Sequence, residues 1–258
     1  MIDINTDLLQ AWVVGLLIPL TRVLAFMSIA PFFGNKSLSL PIKVAMGFML
    51  AVAIAPAIPN LPKIDLLSLE GVLIIIEQMI IGLAMGFIAQ IIFTAIEMAG
   101  QISGMTMGFG FATFFDPQSH GSTAVISQFL NVLAMLVFLG MDGHLMMITA
   151  LLESFYSFPV SEVAGSVDGM RIALWGGKIF SIGLQLALPV VATLLITNMA
   201  LGVLTRSAPQ LNIFGIGFPV TIAVGFLVIA LMLPSMAVPY HYFIEQGITA
   251  GKSVIKLR

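Results

Sequence analysis

The sequence has no cysteine, and only 9% of its 258 residues are charged. Without cysteine, the chain can form no disulfide, no thiolate metal site and no cysteine nucleophile. The net charge of −2 excludes the strongly basic surface by which proteins bind nucleic acid. Soluble domains carry about a quarter charged residues, so the shortage of charge excludes an ordinary water-soluble domain.

Motifs of the common enzyme classes are also missing. No Gly-x-x-x-x-Gly-Lys-Ser/Thr run is present, and the connections between apolar segments are too short for a nucleotide-binding module. The three histidines, His120, His144 and His241, form no His-x-x-x-His or Glu-x-x-His pair, which argues against a metal site. Because no serine has an identifiable base in helical register, we expect a protein that is not an enzyme and holds no cofactor.

Long apolar segments dominate what is present. Hydrophobic residues make up 59% of the chain, and its mean hydropathy is +1.11. Since roughly 20 apolar residues span a bilayer, the sequence predicts an all-α, polytopic membrane protein with about six hydrophobic helices in hairpins. The predicted spans are Leu8–Phe33, Ile42–Ile58, Leu66–Ala99, Thr123–Leu152, Ile172–Leu204 and Phe214–Ile244.

The third to sixth predicted spans are longer than a bilayer requires. Each exceeds about 28 residues, which predicts tilt, kinks or helical parts outside the bilayer. Pro19, Pro189 and Pro234 lie inside predicted spans, where kinks are expected. The acidic segment Met1–Asp7 is unlike the basic start of a signal peptide, so we expect the first helix to be retained. The distribution of Lys and Arg favours a cytoplasmic location for both termini, by a margin of three residues.

A stripe of small and polar residues runs along the third helix. Gly82, Gly86, Gln90 and Glu97 fall within roughly 100° on a helical wheel. Small residues four apart allow another helix backbone to approach closely. The stripe therefore predicts either packing within the chain or an interface with another subunit or a pore.

Arg22 lies midway along the first span. A charged side chain at that depth needs a partner. One interpretation is a buried pair with a carboxylate of the same chain, which we favour. The alternative is a contact with a neighbouring subunit.

The segment between the third and fourth spans, residues 100–122, is rich in glycine, phenylalanine and methionine and has no Lys or Arg. Non-helical backbone cannot face lipid, so the segment must be buried in protein or line a cavity. It is therefore either a re-entrant packing loop or a plug whose bulky side chains exclude water and ions. Gly104 would add hinge freedom, and the plug candidates are Met105, Met107, Gly108, Phe109, Gly110, Phe111, Phe114 and Phe115.

A polar cassette, Thr205–Phe214, separates the last two apolar runs. It contains Arg206, Gln210 and Asn212, and an arginine beside an apolar span is costly unless its charge is answered. We expect these three residues to tie the fifth and sixth helices together or to a neighbour.

Several strings together resemble the FliR/SctT family of type III export-gate membrane proteins, over nearly the whole chain. The most specific is Leu201–Phe214, LGVLTRSAPQLNIF, leading to Gly217-Phe218-Pro219. The supporting strings are Arg22 followed by Ala30–Gly34, the glycine series Gly82–Gly108, Asp116-Pro117, and Pro189–Asn198.

The resemblance implies a role in protein export. In this family, one FliR copy joins FliP and FliQ copies in a gate that conducts unfolded flagellar proteins across the bacterial inner membrane, with FlhB-like and FlhA-like proteins associated. Here it implies a single export-gate domain of residues 1–258, at the flagellar basal body. Residues 1–152 would be FliP-like, with residues 105–122 as the plug segment, and residues 172–258 would include a FliQ-like hairpin. Alternatives are a virulence-type (SctT) gate subunit and, as a weaker fit, a stand-alone secondary transporter.

Overall fold

The computed structural model describes residues 6–35, 37–58, 68–111, 124–160, 168–208 and 213–254. These residues form α-helices and two 3-10 turns, and they contain no strand. The helices are α1 (Thr6–Ile29), α2 (Leu40–Ile54), α3 (Leu69–Met107), α4 (Ala124–Gly140), α5 (Gly143–Ser157), α6 (Gly169–Gly176), α7 (Lys178–Ser207) and α8 (Ile213–Val254). The 3-10 turns are Ala55–Ala57 and Phe109–Phe111.

The predicted class, an all-α polytopic membrane protein, is confirmed. Five helices in the described residues are long and apolar enough to cross a membrane, or six if the broken pair α4 and α5 is one span. Proline lies inside α1, α7 and α8, as the positions of Pro19, Pro189 and Pro234 predicted.

Two predicted spans are each divided into two helices, one by a bend and one by a single residue, which the sequence prediction missed. The fourth breaks at Asp142, whose φ of +57° lies in the left-handed region that ends a helix. Aspartate tolerates this conformation better than most residues, because its short side chain can bond locally. In the fifth, Gly177 alone separates α6 from α7, and its φ of −61° and ψ of −20° remain right-handed helical, so Gly169–Ser207 is one apolar span. Two glycines in succession, Gly176 and Gly177, lower the helix propensity there.

The third and sixth predicted spans correspond to α3 and α8, and both helices are longer than predicted. Helix α3 continues through Met107, so residues 100–107 are helical rather than part of a loop. The backbone of Ser127 in α4 lies where a Cβ on Gly100 would be, so this glycine serves close packing between helices. Helix α8 continues through Val254, ten residues beyond the predicted end.

The chain divides into two compact units. The first comprises Met1–Ile91, Asp142–Gly176 and Ile244–Arg258, and the second comprises Ile92–Met141 and Gly177–Phe243. The first has a core of fully buried side chains from α1, α3 and α5, including Ile18, Ile74, Ile81 and Phe155. In the second unit, Phe93 and Phe138 meet edge to face, with ring centroids 5.6 Å apart.

Candidate functional site

Arg22 lies in the core of the first unit, with 0% of its surface exposed. Its Nε donates to Oε1 of Gln78 at 2.8 Å, and one terminal nitrogen donates to Oγ of Ser154 at 3.0 Å. The other terminal nitrogen donates to the carbonyl oxygen of Phe158 at 3.2 Å. The guanidinium carbon lies 4.0 Å from the ring centroid of Phe155, a cation–π distance. We call these five residues the Arg22 cluster.

The partners of Arg22 correct one expectation from the sequence. Within the described residues, its side-chain hydrogen bonds go to three uncharged groups, not to the carboxylate that we expected. Glu77 interacts with it electrostatically without forming an ion pair in that part of the chain. The bonds reach α3 and the C-terminal end of α5, so the cluster joins two segments to α1. They use three of the five N–H donors of the guanidinium inside the chain.

Gly82 and Gly86 pack α3 onto α1. The carbonyl oxygen of Arg22 lies where a Cβ on Gly82 would be, and a Cβ on Gly86 would stand 2.7 Å from the carbonyl oxygen of Phe26. The structure therefore uses these glycines for packing within the chain, so we no longer assign them to a subunit interface. Farther along α3, Gln90 is half-buried and has an interaction partner, and Glu97 is exposed.

The end of α3 carries the first plug candidates, in the second unit. The side chain of Met105 is 65% exposed, whereas Met107 is completely buried. Gly108 ends the helix with a φ of +98°, which side-chain-bearing residues rarely adopt. The ring of half-buried Phe109 meets Phe226 of α8 edge to face, with centroids 6.3 Å apart. Gly110 lies in the following 3-10 turn, where an added Cβ would meet nothing within 4 Å.

The residues of α8 that receive this end of α3 were not predicted from the sequence. Thr221 Oγ1 lies 2.9 Å from the carbonyl oxygen of Met107 and 3.0 Å from that of Phe218 in its own helix, so its one proton is shared between these two acceptors. A Cβ on Gly225 would stand 2.5 Å from Cγ of Met107, so the methionine fills the space that the glycine leaves. We call Met107, Gly108, Phe109, Thr221, Gly225 and Phe226 the α3–α8 clip. A glycine and a threonine in an apolar helix indicate that another helix packs closely there, but they do not indicate which helix.

The remaining predicted site residues lie near the ends of the described ranges or outside them. Phe111 is the last residue of the 3-10 turn Phe109–Phe111, and Phe114, Phe115, Gln210 and Asn212 lie outside the described residues. Arg206 is exposed in the last turn of α7. In the described part of the chain, no group of three or more His, Asp or Glu side chains is placed to hold a metal ion.

The two longest helices exceed the thickness of a bilayer. Helices α3 and α8 have 39 and 42 residues, or about 58 and 63 Å at 1.5 Å per residue. The hydrocarbon core of a bilayer is about 30 Å thick. Together, the long helices, the buried polar groups joined within the chain and the Gly/Met/Phe-rich helix end define a polytopic membrane protein built around helix packing.

Comparisons with known proteins identify its family. The family described as "Bacterial export proteins, family 1" matches residues 13–247. The chain therefore belongs to this family, which confirms the resemblance seen in the sequence.

Proteins named flagellar biosynthetic protein FliR are similar over most of their length. The FliR of Pectobacterium carotovorum subsp. carotovorum is 42% identical over 235 residues, which cover 91% of this chain and 90% of that protein. The FliR of Escherichia coli (strain K12) is 38% identical over 248 residues, covering 95% and 94%. The FliR of Bacillus subtilis (strain 168) is 30% identical over 212 residues, covering 81% and 82%. The chain is thus a membrane protein of the flagellar export apparatus.

Proposed function

We propose that this protein is a subunit of the flagellar type III export gate. It would form, with FliP-like and FliQ-like subunits, the channel that conducts unfolded flagellar proteins across the bacterial inner membrane. FlhB-like and FlhA-like proteins would associate with this assembly at the flagellar basal body. The protein would act as a passage and would catalyse no reaction.

The observation that carries this proposal is the long, uncovered apolar surface of α8. The run Ile213–Ile244 contains 32 residues without Asp, Glu, Lys or Arg, which is about 48 Å of helix. In the most apolar 18-residue window of its span Gly215–Gly251, only 22% of the residues are buried within the chain. A hydrocarbon layer of about 30 Å cannot cover all of this surface. The remainder requires apolar partners, which favours a hetero-oligomer over a stand-alone transporter.

The plug segment is the second part of the proposal. We propose that Met105, Phe109 and the phenylalanines after them form an apolar seal in the passage. Methionine and phenylalanine exclude water and ions from a constriction, and an unbranched methionine also adapts to varied cargo. The exposure of Met105 at the end of α3 supports a role toward a passage or a partner.

Arg206 would serve a contact outside the described residues. Its exposed position at the end of α7 favours a neighbouring subunit over the packing of α7 on α8. A charge beside an apolar helix end is stabilised when a partner supplies an opposite charge or hydrogen-bond acceptors.

Native mass spectrometry tests the assembly. The tagged chain is co-expressed with the FliP-like and FliQ-like proteins of the same genome and purified in mild detergent. We expect a discrete hetero-oligomer that contains both partners. A lone monomer or homodimer, with both partners present and folded, would contradict the proposal and favour a stand-alone transporter.

A complementation experiment separates a flagellar role from a virulence-type one. The chain replaces the FliR of E. coli K12, to which it is 38% identical, and swimming in soft agar is measured. We expect swimming to be restored by the parent chain and by the control Gly169→Ala at the start of α6, whose added Cβ meets nothing within 4 Å. A stable protein that never restores swimming, even with its own FliP-like and FliQ-like partners, would contradict a flagellar role.

The plug is tested by permeability. Replacing Phe114 and Phe115 by serine should leave the yield of complex unchanged and make cells that overproduce it leak small ions. Normal complex with unchanged permeability would remove the plug from the proposal and leave the assembly intact.

A further inference from the structure

The α3–α8 clip fixes the point at which the plug segment leaves α3. Helix α3 ends because Gly108 takes a φ of +98°. A side chain on Gly108 would also stand 2.7 Å from the ring of Phe218. The helix end is therefore determined by the backbone of one residue and by the α8 surface against it.

Three contacts of different kinds hold this end in place. A hydrogen bond from Thr221 satisfies the carbonyl oxygen of Met107, one of the acceptors that a helix end leaves without an intrahelical donor. The Met107 side chain is fully buried, with Cγ, Sδ and Cε all within 2.8 Å of the position of a Cβ on Gly225. The ring of Phe109 lies on Phe226. Together these contacts fix the backbone and side chain of Met107 and the ring of Phe109 against α8.

The contacts change character after the clip. An added Cβ on Gly110 would meet nothing within 4 Å, in contrast to Gly108. Positive φ is confined to Gly108 among the glycines of the described residues. Space for an added side chain is therefore absent at Gly108 and present at Gly110.

We propose that Thr221 and Gly225 of α8 are positioning residues for the plug segment, and that the α3–α8 clip stays closed while cargo passes. The passage of cargo would then leave α3 and α8 joined at the clip. This inference rests on the proposed function, because it assigns the clip a role in export.

A disulfide across the clip tests it, and the absence of native cysteine makes the experiment specific. A Cβ on residue 225 would lie 2.5 Å from Cγ of Met107. Since Cγ is one bond from Cβ of Met107, the two Cβ atoms are within about 4 Å, which suits a disulfide. In Met107→Cys/Gly225→Cys, the smaller side chain at 107 makes room for the new one at 225, so the variant should fold.

The matched control is Met105→Cys/Gly225→Cys. Met105 is two residues from Met107 and is exposed, so its cysteine points away from α8 and should not form the bond. Cells that export a flagellar subunit are oxidised with copper phenanthroline, and loss of maleimide-reactive thiols measures the disulfide. The cysteine-free parent shows the effect of the oxidant on other proteins.

We expect the clip pair to form a disulfide within one chain and secretion to continue at the level of the oxidised parent. A folded variant whose cysteines do not pair would overturn the clip. Secretion that stops on oxidation and returns with reductant would also overturn the proposal, because the clip would then have to open. If the parent itself assembles but never secretes, the proposed function fails, and the disulfide still reports the clip.

A second variant tests the positioning role without cysteine. Gly225→Ala should displace Met107 and raise the ion permeability of cells that overproduce the complex, at unchanged yield. Gly169→Ala, whose added Cβ meets nothing within 4 Å, should change neither the yield nor the permeability. A Gly225→Ala complex with normal yield and normal permeability would overturn positioning of the plug by Gly225.

Discussion

The Arg22 cluster and the α3–α8 clip join helices by opposite means. The cluster buries the guanidinium of Arg22 and stabilises its charge with three hydrogen-bond acceptors and an aromatic ring. The clip buries an apolar methionine in the space left by a glycine and adds one neutral hydrogen bond. A buried charge is stable only while its partners are in place, whereas a flexible methionine can rearrange around a new neighbour. Substitutions in the Arg22 cluster should therefore cause large losses of stability, and substitutions in the α3–α8 clip should cause smaller ones.

Removing the charge should break the cluster and produce the largest effect. Arg22→Ala leaves Gln78, Ser154 and the Phe158 carbonyl without their donor and opens a cavity beside Phe155. Hydrogen bonds to charged groups are worth about 1.5–3 kcal/mol each and are not additive, so we expect roughly 3–5 kcal/mol less stability. The measurement is the free energy of unfolding of the purified complex in detergent, with complex yield in cells beside it.

Arg22→Lys is the control for charge alone. An ammonium keeps the positive charge but lacks the planar fork that reaches three separated acceptors. We expect a stability between the parent and Arg22→Ala. Equal stability of Arg22→Lys and the parent would show that charge suffices and that the three hydrogen bonds contribute little.

The next comparison is between a glycine packed against a helix backbone and a glycine in open space. In Gly86→Ala the new methyl group meets the carbonyl oxygen of Phe26 at 2.7 Å, and a helix backbone cannot move aside. Overpacking of this kind costs about 1–3 kcal/mol. Gly202→Ala, also in a helix but in open space, should be neutral or stabilising by up to about 1 kcal/mol. Thermal unfolding of both variants in the same detergent measures the difference, and equal midpoints would contradict close packing at Gly86.

Within the clip, two substitutions should compensate each other. Gly225→Ala pushes on Met107, and Met107→Ala leaves a void beside Gly225. In the double variant the new methyl group has room, so the combined loss should be smaller than the sum by roughly 1 kcal/mol. A double-mutant cycle on unfolding free energies measures this coupling. Strict additivity would show that the two residues do not share the space.

The contrast also explains what could be predicted from the sequence. Long apolar runs predicted the membrane helices, because a span of about 20 residues is a local property. Arg22 was visible as a buried charge, but its partners Gln78, Ser154 and Phe158 lie 56, 132 and 136 residues away. Nothing local distinguishes these polar groups from others in apolar helices. Their pairing depends on tertiary packing, which periodicity does not encode.

Glycines misled the sequence prediction for a related reason. The same residue type serves close helix packing at Gly82 and Gly100 and ends a helix at Gly108. A run of glycines between residues 100 and 110 therefore predicted a loop, although its first half is helical. The partner backbone decides between the two uses, and it comes from another part of the chain. Asp142 breaks a helix inside an apolar run, where Gly140 and the Asp142-Gly143 dipeptide are local turn signals.

The smallest expected effect separates the hydrogen bond of the clip from its shape. Thr221→Val keeps the volume and removes the donor to the Met107 carbonyl, which lies 2.9 Å from Oγ1. Thr221 is buried, so the unsatisfied carbonyl should cost about 0.5–1.5 kcal/mol in unfolding free energy. Thr197→Val is the matched control, because the hydroxyl of Thr197 bonds the carbonyl of Thr193 one turn earlier in its own helix. We expect Thr197→Val to change stability less than Thr221→Val. If the two losses are equal, the hydroxyl of Thr221 contributes no more than a bond within its helix, and the clip is held by the fit of Met107 against Gly225.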